Sequence, residues 1–349
     1  MIPDVESLFP EFLNIETTNR CNLKCAMCPR HKMTRVERTM DMDLYKKIVE
    51  DCGNYAEHIK SFQPFMDGEP LLDNFLEERI RIAKKAGIRF IQIATNGTLL
   101  TRSRARSLVE SGLDSIIIAL EDIDKDVHEQ IRRGSSYNKI ISNLENFISI
   151  RSEAGLTRPE IIIRMLGLEE NSLHREAFLQ HWKTKADQVV IVPVHNWGGA
   201  ISLGRKISHP NLECSYLWRQ MVILVDGTVA LCCLDYDGVH VLGNVYNESL
   251  YDIWHGEKFA EYREKFKNCQ VDLCSRCNWI PGSLIAYDVR DRASHMPAAL
   301  DKHYVTKNIF DGIYQQADKM SKMISGLITY LRNNEARFKQ KKQEKPKKP

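Results

Sequence analysis

Between residues 11 and 195 the chain alternates two hydrophobic patterns. Short runs rich in β-branched residues lie at 12–17, 59–65, 89–95, 115–120, 160–166 and 188–194. Longer stretches, with apolar residues three and four positions apart, lie at 43–52, 72–86, 101–112, 137–154 and 173–184. The first pattern suits strands and the second amphipathic helices. Strands separated by helix-length segments argue for βαβ units on a parallel sheet. Six such units predict an α/β fold, either a partial (β/α)6 TIM-like barrel or an open doubly wound sheet. Both gather ligand-binding groups at the C-terminal ends of their strands.

The pattern changes over 205–285. Met221-Val-Ile-Leu-Val-Asp226-Gly227-Thr-Val-Ala-Leu reads as two strands around an Asp-Gly turn, a strong hairpin signal. Leu242-Gly243-Asn244-Val245 and a helical stretch through Trp254 to Phe266 follow. A small C-terminal α+β domain is therefore expected after a barrel unit at 1–200. Over 300–338, Ile309, Ile313, Met320, Ile324, Leu327 and Leu331 form an apolar stripe at helical spacing. That predicts a C-terminal helix offering a face for packing or self-association, and 339–349 reads as a basic, disordered tail.

The chain has 49 Lys and Arg against 46 Asp and Glu, a net charge of +3 that gives no case for a nucleic-acid binder. No apolar run approaches the length of a membrane span, and Met1-Ile-Pro-Asp-Val-Glu lacks the regions of a signal peptide. A cytoplasmic, reducing setting is expected, in which the ten cysteines read as cluster ligands rather than disulfides.

Three of them follow the first apolar run, in Glu16-Thr-Thr-Asn-Arg-Cys21-Asn-Leu-Lys-Cys25-Ala-Met-Cys28. Thiolates hold iron–sulfur clusters, and three thiolates on a four-iron cubane leave one iron open to a non-protein ligand. A zinc knuckle needs a closed four-ligand shell, for which His31 is the only nearby complement. The C-x3-C-x2-C loop resembles that of the radical S-adenosylmethionine (SAM) enzymes. The resemblance implies the partial barrel as the fold, a [4Fe-4S] cluster on Cys21, Cys25 and Cys28, SAM chelating the fourth iron, and Met27 packed on its adenine ring.

Met66-Asp67-Gly68-Glu69-Pro70-Leu71 resembles the same family's G-G-E-P segment, with Asp67 in place of the first glycine. This implies that Gly68, Glu69 and Pro70 meet the amino group of SAM; the residues also suit a helix-starting turn. Thr95-Asn96-Gly97 resembles the T-N-G turn lining the SAM pocket, and a plain strand-to-helix turn uses the same residues. Glu121-Asp122 stands where many relatives have D-G, and Arg133-Gly134 fits their R-G turn. Arg164, among apolar neighbours on the fifth strand, needs a partner: Glu121, Asp122, or an anionic group of SAM or the substrate. His195, at the expected barrel mouth, is a candidate general base near its ordinary pKa or a loop residue.

Cys214, Cys232, Cys274 and Cys277 make a second four-thiolate set, for which zinc is an alternative occupant. With D-G-x-V-x-x-C, L-G-N and the C-x2-C pair, the region resembles the SPASM/twitch extension, which implies one auxiliary [4Fe-4S] cluster. Cys233 is surplus to that set and is a candidate hydrogen-atom donor. The expected activity is reductive cleavage of SAM and hydrogen abstraction from a small polar, carbohydrate- or aminocyclitol-like substrate, ending in dehydrogenation or epimerisation. A flavodoxin or ferredoxin would supply the electron. A peptide-modifying SPASM maturase and a non-catalytic zinc or iron–sulfur scaffold are the alternatives.

Overall fold

The computed structural model describes residues 7–204 and 214–279 and the backbone of Ala286–Val289. The expected helix at 300–338, with its self-association face, and the tail at 339–349 lie outside the described residues.

Six strands follow one another in space as in sequence: β1 (Phe12–Ile15), β2 (Ser61–Gln63), β3 (Gln92–Thr95), β4 (Ser115–Ala119), β5 (Glu160–Gly167) and β6 (Gln188–Pro193). All neighbours are parallel, and β2 meets β3 at a single bridge between Phe62 and Ile91. A doubly wound sheet reverses strand order at a switch point, and this order never reverses, so the strands form a partial barrel. The crossovers carry α1 (Met42–Gly53), α2 (Leu76–Lys85), α3 (Arg102–Val109), α4 (Lys125–Ile131), α5 (Tyr137–Glu153) and α6 (Arg175–Trp182).

Two helices depart from the expected pattern. The start of α2 lies four residues past its expected position, because the Asp73 carboxylate turns inward to accept from Phe75 N and from buried Arg79 Nε at 2.8 Å. Residues 70–72 are left as a 3-10 turn. The unexpected α4 is too short to show periodicity; its one sequence signal is Asp124, whose carboxylate accepts from Asp126 N and Val127 N.

Along these strands the two faces differ in burial. Leu13, Ile15, Phe62, Ile93, Ile116, Ile118, Ile161, Ile163, Val189 and Ile191 are fully buried on the helix side, each contributing about 1.5–3 kcal/mol of hydrophobic stabilisation. Gln63, Gln92, Ala94, Ile117, Arg164, Val190 and Val192 alternate with them and are only half-buried. Side chains fill the interior of a complete (β/α)8 barrel; here solvent reaches part of the inner face, the chamber side, although Asn14, Ser115, Ala119 and Ile162 on that face are buried.

After β6, α7 (Tyr216–Arg219) leads into β7 (Gln220–Ile223), β8 (Thr228–Ala230) and β9 (Val241–Asn244), with α8 (Leu250–His255), α9 (Glu257–Lys267) and α10 (Asp272–Arg276) behind them. The β7–β8 hairpin turns at Asp226-Gly227, where Gly227 takes φ 82°. Because β7 pairs in parallel with β1, from Phe12↔Gln220 to Ile15↔Ile223, the small α+β segment extends the barrel's own sheet. At the other edge β10 (Ala286–Val289) pairs antiparallel with β6.

Candidate active site

The chain leaves β1 through Glu16 and enters a loop held by backbone bonds to the end of α4 and the turn beyond it: Lys24 N donates to Arg133 O (2.9 Å) and Ala26 N to Ile131 O (2.8 Å). Cys21, Cys25 and Cys28 lie half-buried on this loop as free thiols. Burial pushes all three above the ordinary thiol value, Cys28 to about 12; Cys21 also feels the charge of Cys25, Cys28 that of Cys25 and Cys21, and at Cys25 the Arg132 charge works against the rise. Metal binding requires thiolates, so burial alone opposes loading and nearby cations favour it.

The segment after β2 docks on this loop. Gly68 approaches it so closely that a Cβ there would stand 2.2 Å from Thr18 O and 2.7 Å from Arg20 O, and Glu69 N donates to Arg20 O (2.8 Å). The glycine is thus needed for contact between protein backbones as well as for any contact with a ligand. Glu69 is buried, with Pro70 buried beside it. Its carboxylate accepts from Thr95 Oγ1 (2.6 Å), Asn96 N (2.8 Å) and Leu71 N (3.1 Å). Burial raises its pKa against these donors. Asn96 in turn donates to Asn22 Oδ1 in the cysteine loop (3.0 Å) and accepts from Thr98.

Glu69, Thr95 and Asn96, expected to face SAM, are therefore engaged within the protein, tying the ends of β2 and β3 to the cysteine loop. Glu69→Gln puts an amide N–H against a buried donor, so the thermal midpoint should fall by the equivalent of about 1–3 kcal/mol together with SAM affinity. An unchanged melting curve in calorimetry would contradict this bonding.

Met27 is also enclosed. It packs with Ile131 and Leu168, and its carbonyl accepts from the Trp197 indole (3.0 Å). The side chain expected to pack on the adenine ring of SAM thus has protein neighbours of its own.

On β5, Arg164 points to the chamber side and its Nε is buried without a hydrogen-bond partner among the described residues. Both expected protein partners are occupied. Glu121 binds Arg132, and Asp122 accepts from His174 Nδ1 (2.8 Å) and Asp124 N (2.8 Å). Burial, then the Arg132 charge, lowers the Arg164 pKa while the Glu121 charge works against the fall, and an anion at the free nitrogen would favour the guanidinium further.

His195 lies between the Trp197 and Trp279 rings, with centroids 4.6 and 5.3 Å away. Burial, then the Arg164 charge, pushes its pKa down to about 4. The expectation of a base near its ordinary pKa does not hold: His195 is neutral at neutral pH and a weak base. Its loop is bolted to the C-x2-C segment by Asn196 N to Asn278 Oδ1 (2.8 Å) and Asn196 Nδ2 to Arg276 O (2.7 Å).

The second cysteine set lines one cavity. Cys214, Cys232, Cys274 and Cys277 share its wall with Tyr216, Leu234, Phe266, Leu273 and Trp279. Burial raises Cys214 to about 11 and pushes Cys232 and Cys274 higher. Cys233 does not line this cavity. It packs with Met66 against Val222, Leu224 and Ala230, and Val222 shares a register position with Asn14, whose amide reaches Gln63 (2.8 Å) on the chamber side.

Sequence reading missed one buried cluster. Arg35, seven residues past Cys28, holds Glu16 through Nη1 (2.5 Å) and Nη2 (2.8 Å) and Asp67 through Nη2 (3.1 Å). Its Nε donates to Tyr236 O (3.0 Å), which ties the cysteine loop to the segment after Cys233. Asp67 in the family's glycine position was the available signal.

A partial barrel with a three-cysteine loop after its first strand, and a four-cysteine hairpin extension, defines a class that sequence comparison identifies. The profile of the Radical SAM superfamily matches residues 15–181, and that of the SPASM iron–sulfur cluster-binding domain matches 214–278. The chain belongs to the radical SAM superfamily and carries a C-terminal SPASM domain.

Among curated proteins it is 25% identical over 316 residues to the tungsten-containing aldehyde ferredoxin oxidoreductase cofactor-modifying protein of Pyrococcus furiosus, covering 77% of this chain and 87% of that one. It is 26% identical over 281 residues to the S-adenosyl-L-methionine-dependent 2-deoxy-scyllo-inosamine dehydrogenase of Niallia circulans, covering 78% and 94%. Among solved structures, Streptococcus suis SuiB bound to the precursor peptide SuiA superposes with a TM-score of 0.62 at 14% identity, over 77% of this chain and 71% of that one, a likeness of fold.

Proposed function

We propose that this protein cleaves SAM reductively and abstracts hydrogen from a small polar, carbohydrate- or aminocyclitol-like substrate, leading to dehydrogenation or epimerisation. The carrying observation is that one segment, after β2, touches both cysteine regions. The segment 66–68 docks on the three-thiol loop and packs through Met66 beside Cys233, next to the four-thiol cavity. Cys21, Cys25 and Cys28 would hold the cluster that binds SAM, and Cys214, Cys232, Cys274 and Cys277 a single auxiliary [4Fe-4S] cluster. The match of the SPASM iron–sulfur cluster-binding profile to residues 214–278 supports an iron–sulfur occupant over zinc for the cavity that the four thiols line.

When bound, the cluster and SAM supply the electron and the 5'-deoxyadenosyl radical that removes the hydrogen atom. The chain's own groups do the rest. Arg164 holds an anionic group of SAM or the substrate at the end of β5. Asn14, Gln63 and Gln220 bond to one another and Gln92 bonds to Ser115, which makes this part of the chamber side polar, as a hydroxyl- and amino-bearing substrate requires. Cys233, its pKa pushed up to about 12 by burial and then by Cys214 and Asp67, keeps its S–H at neutral pH. A ketone forms if the carbinol radical loses a proton to a base and an electron towards the four-thiol site. An inverted carbon forms if Cys233 returns a hydrogen atom to the opposite face, leaving a thiyl radical that one electron from the external flavodoxin or ferredoxin and one proton restore to the thiol. The extent of the match to the Niallia circulans dehydrogenase supports the aminocyclitol-like class.

The test is anaerobic reconstitution followed by incubation with SAM, a reductant and candidate aminocyclitols. Wild type should form 5'-deoxyadenosine and a ketone or epimer; zinc without sulfide in the protein would sink the reading. Cys232→Ala should lose about four iron atoms per chain, whereas Cys233→Ala should keep its iron. Cys233→Ala that consumes SAM without inverted product identifies an epimerase, and near-normal turnover identifies a dehydrogenase. Iron loss on Cys233→Ala would reverse the roles of the adjacent pair.

A further inference from the structure

A buried ion pair lies against the three-cysteine loop. Glu121, past the end of β4, is fully buried. Its Oε1 accepts from Arg132 Nε (2.8 Å) and Nη2 (2.5 Å), and its Oε2 accepts from Leu166 N (2.8 Å). Arg132 has one nitrogen left over. That nitrogen, Nη1, stands 3.8 Å from Cys25 Sγ. The backbone fixes this approach, because Ile131 O and Arg133 O, on either side of Arg132, accept from Ala26 N and Lys24 N on either side of Cys25. The guanidinium is therefore clamped between a carboxylate and a cysteine sulfur, buried and unable to swing to solvent.

A fixed cation donating to a ligand sulfur stabilises the more negative state of whatever that sulfur binds. Hydrogen bonds to the sulfurs and net local charge are among the levers that set iron–sulfur potentials. Glu121 opposes the effect with one negative charge, but its carboxylate lies on the far side of the guanidinium from Cys25. The nearer charge dominates at short range in a low-dielectric site.

We propose that Arg132 is a positioning residue that raises the midpoint potential of the cluster held by Cys21, Cys25 and Cys28, through a charge-assisted bond to the Cys25 sulfur, with Glu121 as the counter-charge that trims it. This rests on the reading of that loop as a cluster site. The pair makes the first electron easier to accept while keeping a net charge near zero beside the loop.

The experiment is a potentiometric titration of the reconstituted enzyme without SAM, followed by electron paramagnetic resonance, with iron and sulfide assayed on every sample. Arg132→Gln should lower the midpoint potential, by about tenfold in the reduction equilibrium or 59 mV for a one-electron couple. Glu121→Gln should raise it, and the double variant should fall between. Arg132→Lys keeps the charge without the fixed fork and should shift less than Arg132→Gln. Opposite signs for the two single variants are the signature, since loosened packing moves both the same way. Two shifts of one sign, or none with full iron content, would overturn the proposal and leave the cluster assignment standing. Wild type without N-terminal iron and sulfide would overturn both.

Discussion

Replacing Cys21, Cys25 and Cys28 together by alanine should abolish 5'-deoxyadenosine formation altogether, while about four of the protein's iron atoms per chain remain in the C-terminal set. The expectation of a selective loss follows from how the loop is held. Its main attachments are backbone bonds from Lys24 and Ala26 and the seat of Gly68 on Thr18 and Arg20, which use no thiol, and only the Arg132 Nη1 approach to Cys25 Sγ is lost with the cysteines. The four C-terminal cysteines line a separate cavity whose walls come from residues 214 to 279. The fold should thus survive with its second site loaded. Iron and sulfide analysis, with chromatographic detection of the nucleoside, reads both halves at once. Residual SAM cleavage in this variant would sink the assignment.

Gly68→Ala should be the most damaging change of a single hydrogen to a methyl group in the barrel. The added Cβ would meet backbone oxygens at 2.2 and 2.7 Å, and backbone cannot rotate aside as a flexible side chain does. Overpacking typically costs about 1–3 kcal/mol and occasionally more. Relief would require the 66–69 segment to lift from the loop, breaking the bond from Glu69 N to Arg20 O and loosening the Thr95 and Asn96 contacts. The variant should therefore unfold at lower temperature and take up less iron at the N-terminal site than at the C-terminal one. Gly155→Ala is the comparison: its Cβ meets nothing within 4 Å, so any cost there reflects its φ of 66° alone. Equal iron uptake and stability for Gly68→Ala and wild type would refute the close approach.

Local chemistry that repeats along the chain was legible before any coordinates. The six strand runs match β1–β6 to within a few residues, because each outer face carries isoleucine, leucine, valine or, on β2, Phe62, which has to be covered by a helix. The Asp226-Gly227 turn and the two cysteine spacings are equally local, since short connections tie those residues to one loop or hairpin. The barrel and the open sheet could not be separated, because the choice depends on whether strand order reverses, and that information is not carried by any one βαβ unit. Likewise α4 was invisible at seven residues, although it supplies the platform on which Cys25 rests.

The state of the polar residues was decided only in three dimensions. As a sequence feature, Glu69 is a carboxylate free to meet an ammonium group; in the fold it carries three protein donors. His195 looks like a histidine able to titrate near neutrality, yet burial and a guanidinium from another strand hold it near 4. Arg164 had two candidate acids close in sequence to one another, and both are taken by partners that tertiary packing brought nearer. Sequence determined the class of chemistry, because cysteine spacing and strand periodicity act over a few residues. Which acids and bases are spent on structure and which face the chamber was decided by the tertiary fold, because desolvation and Coulomb energy depend on through-space neighbours that lie tens of residues away along the chain.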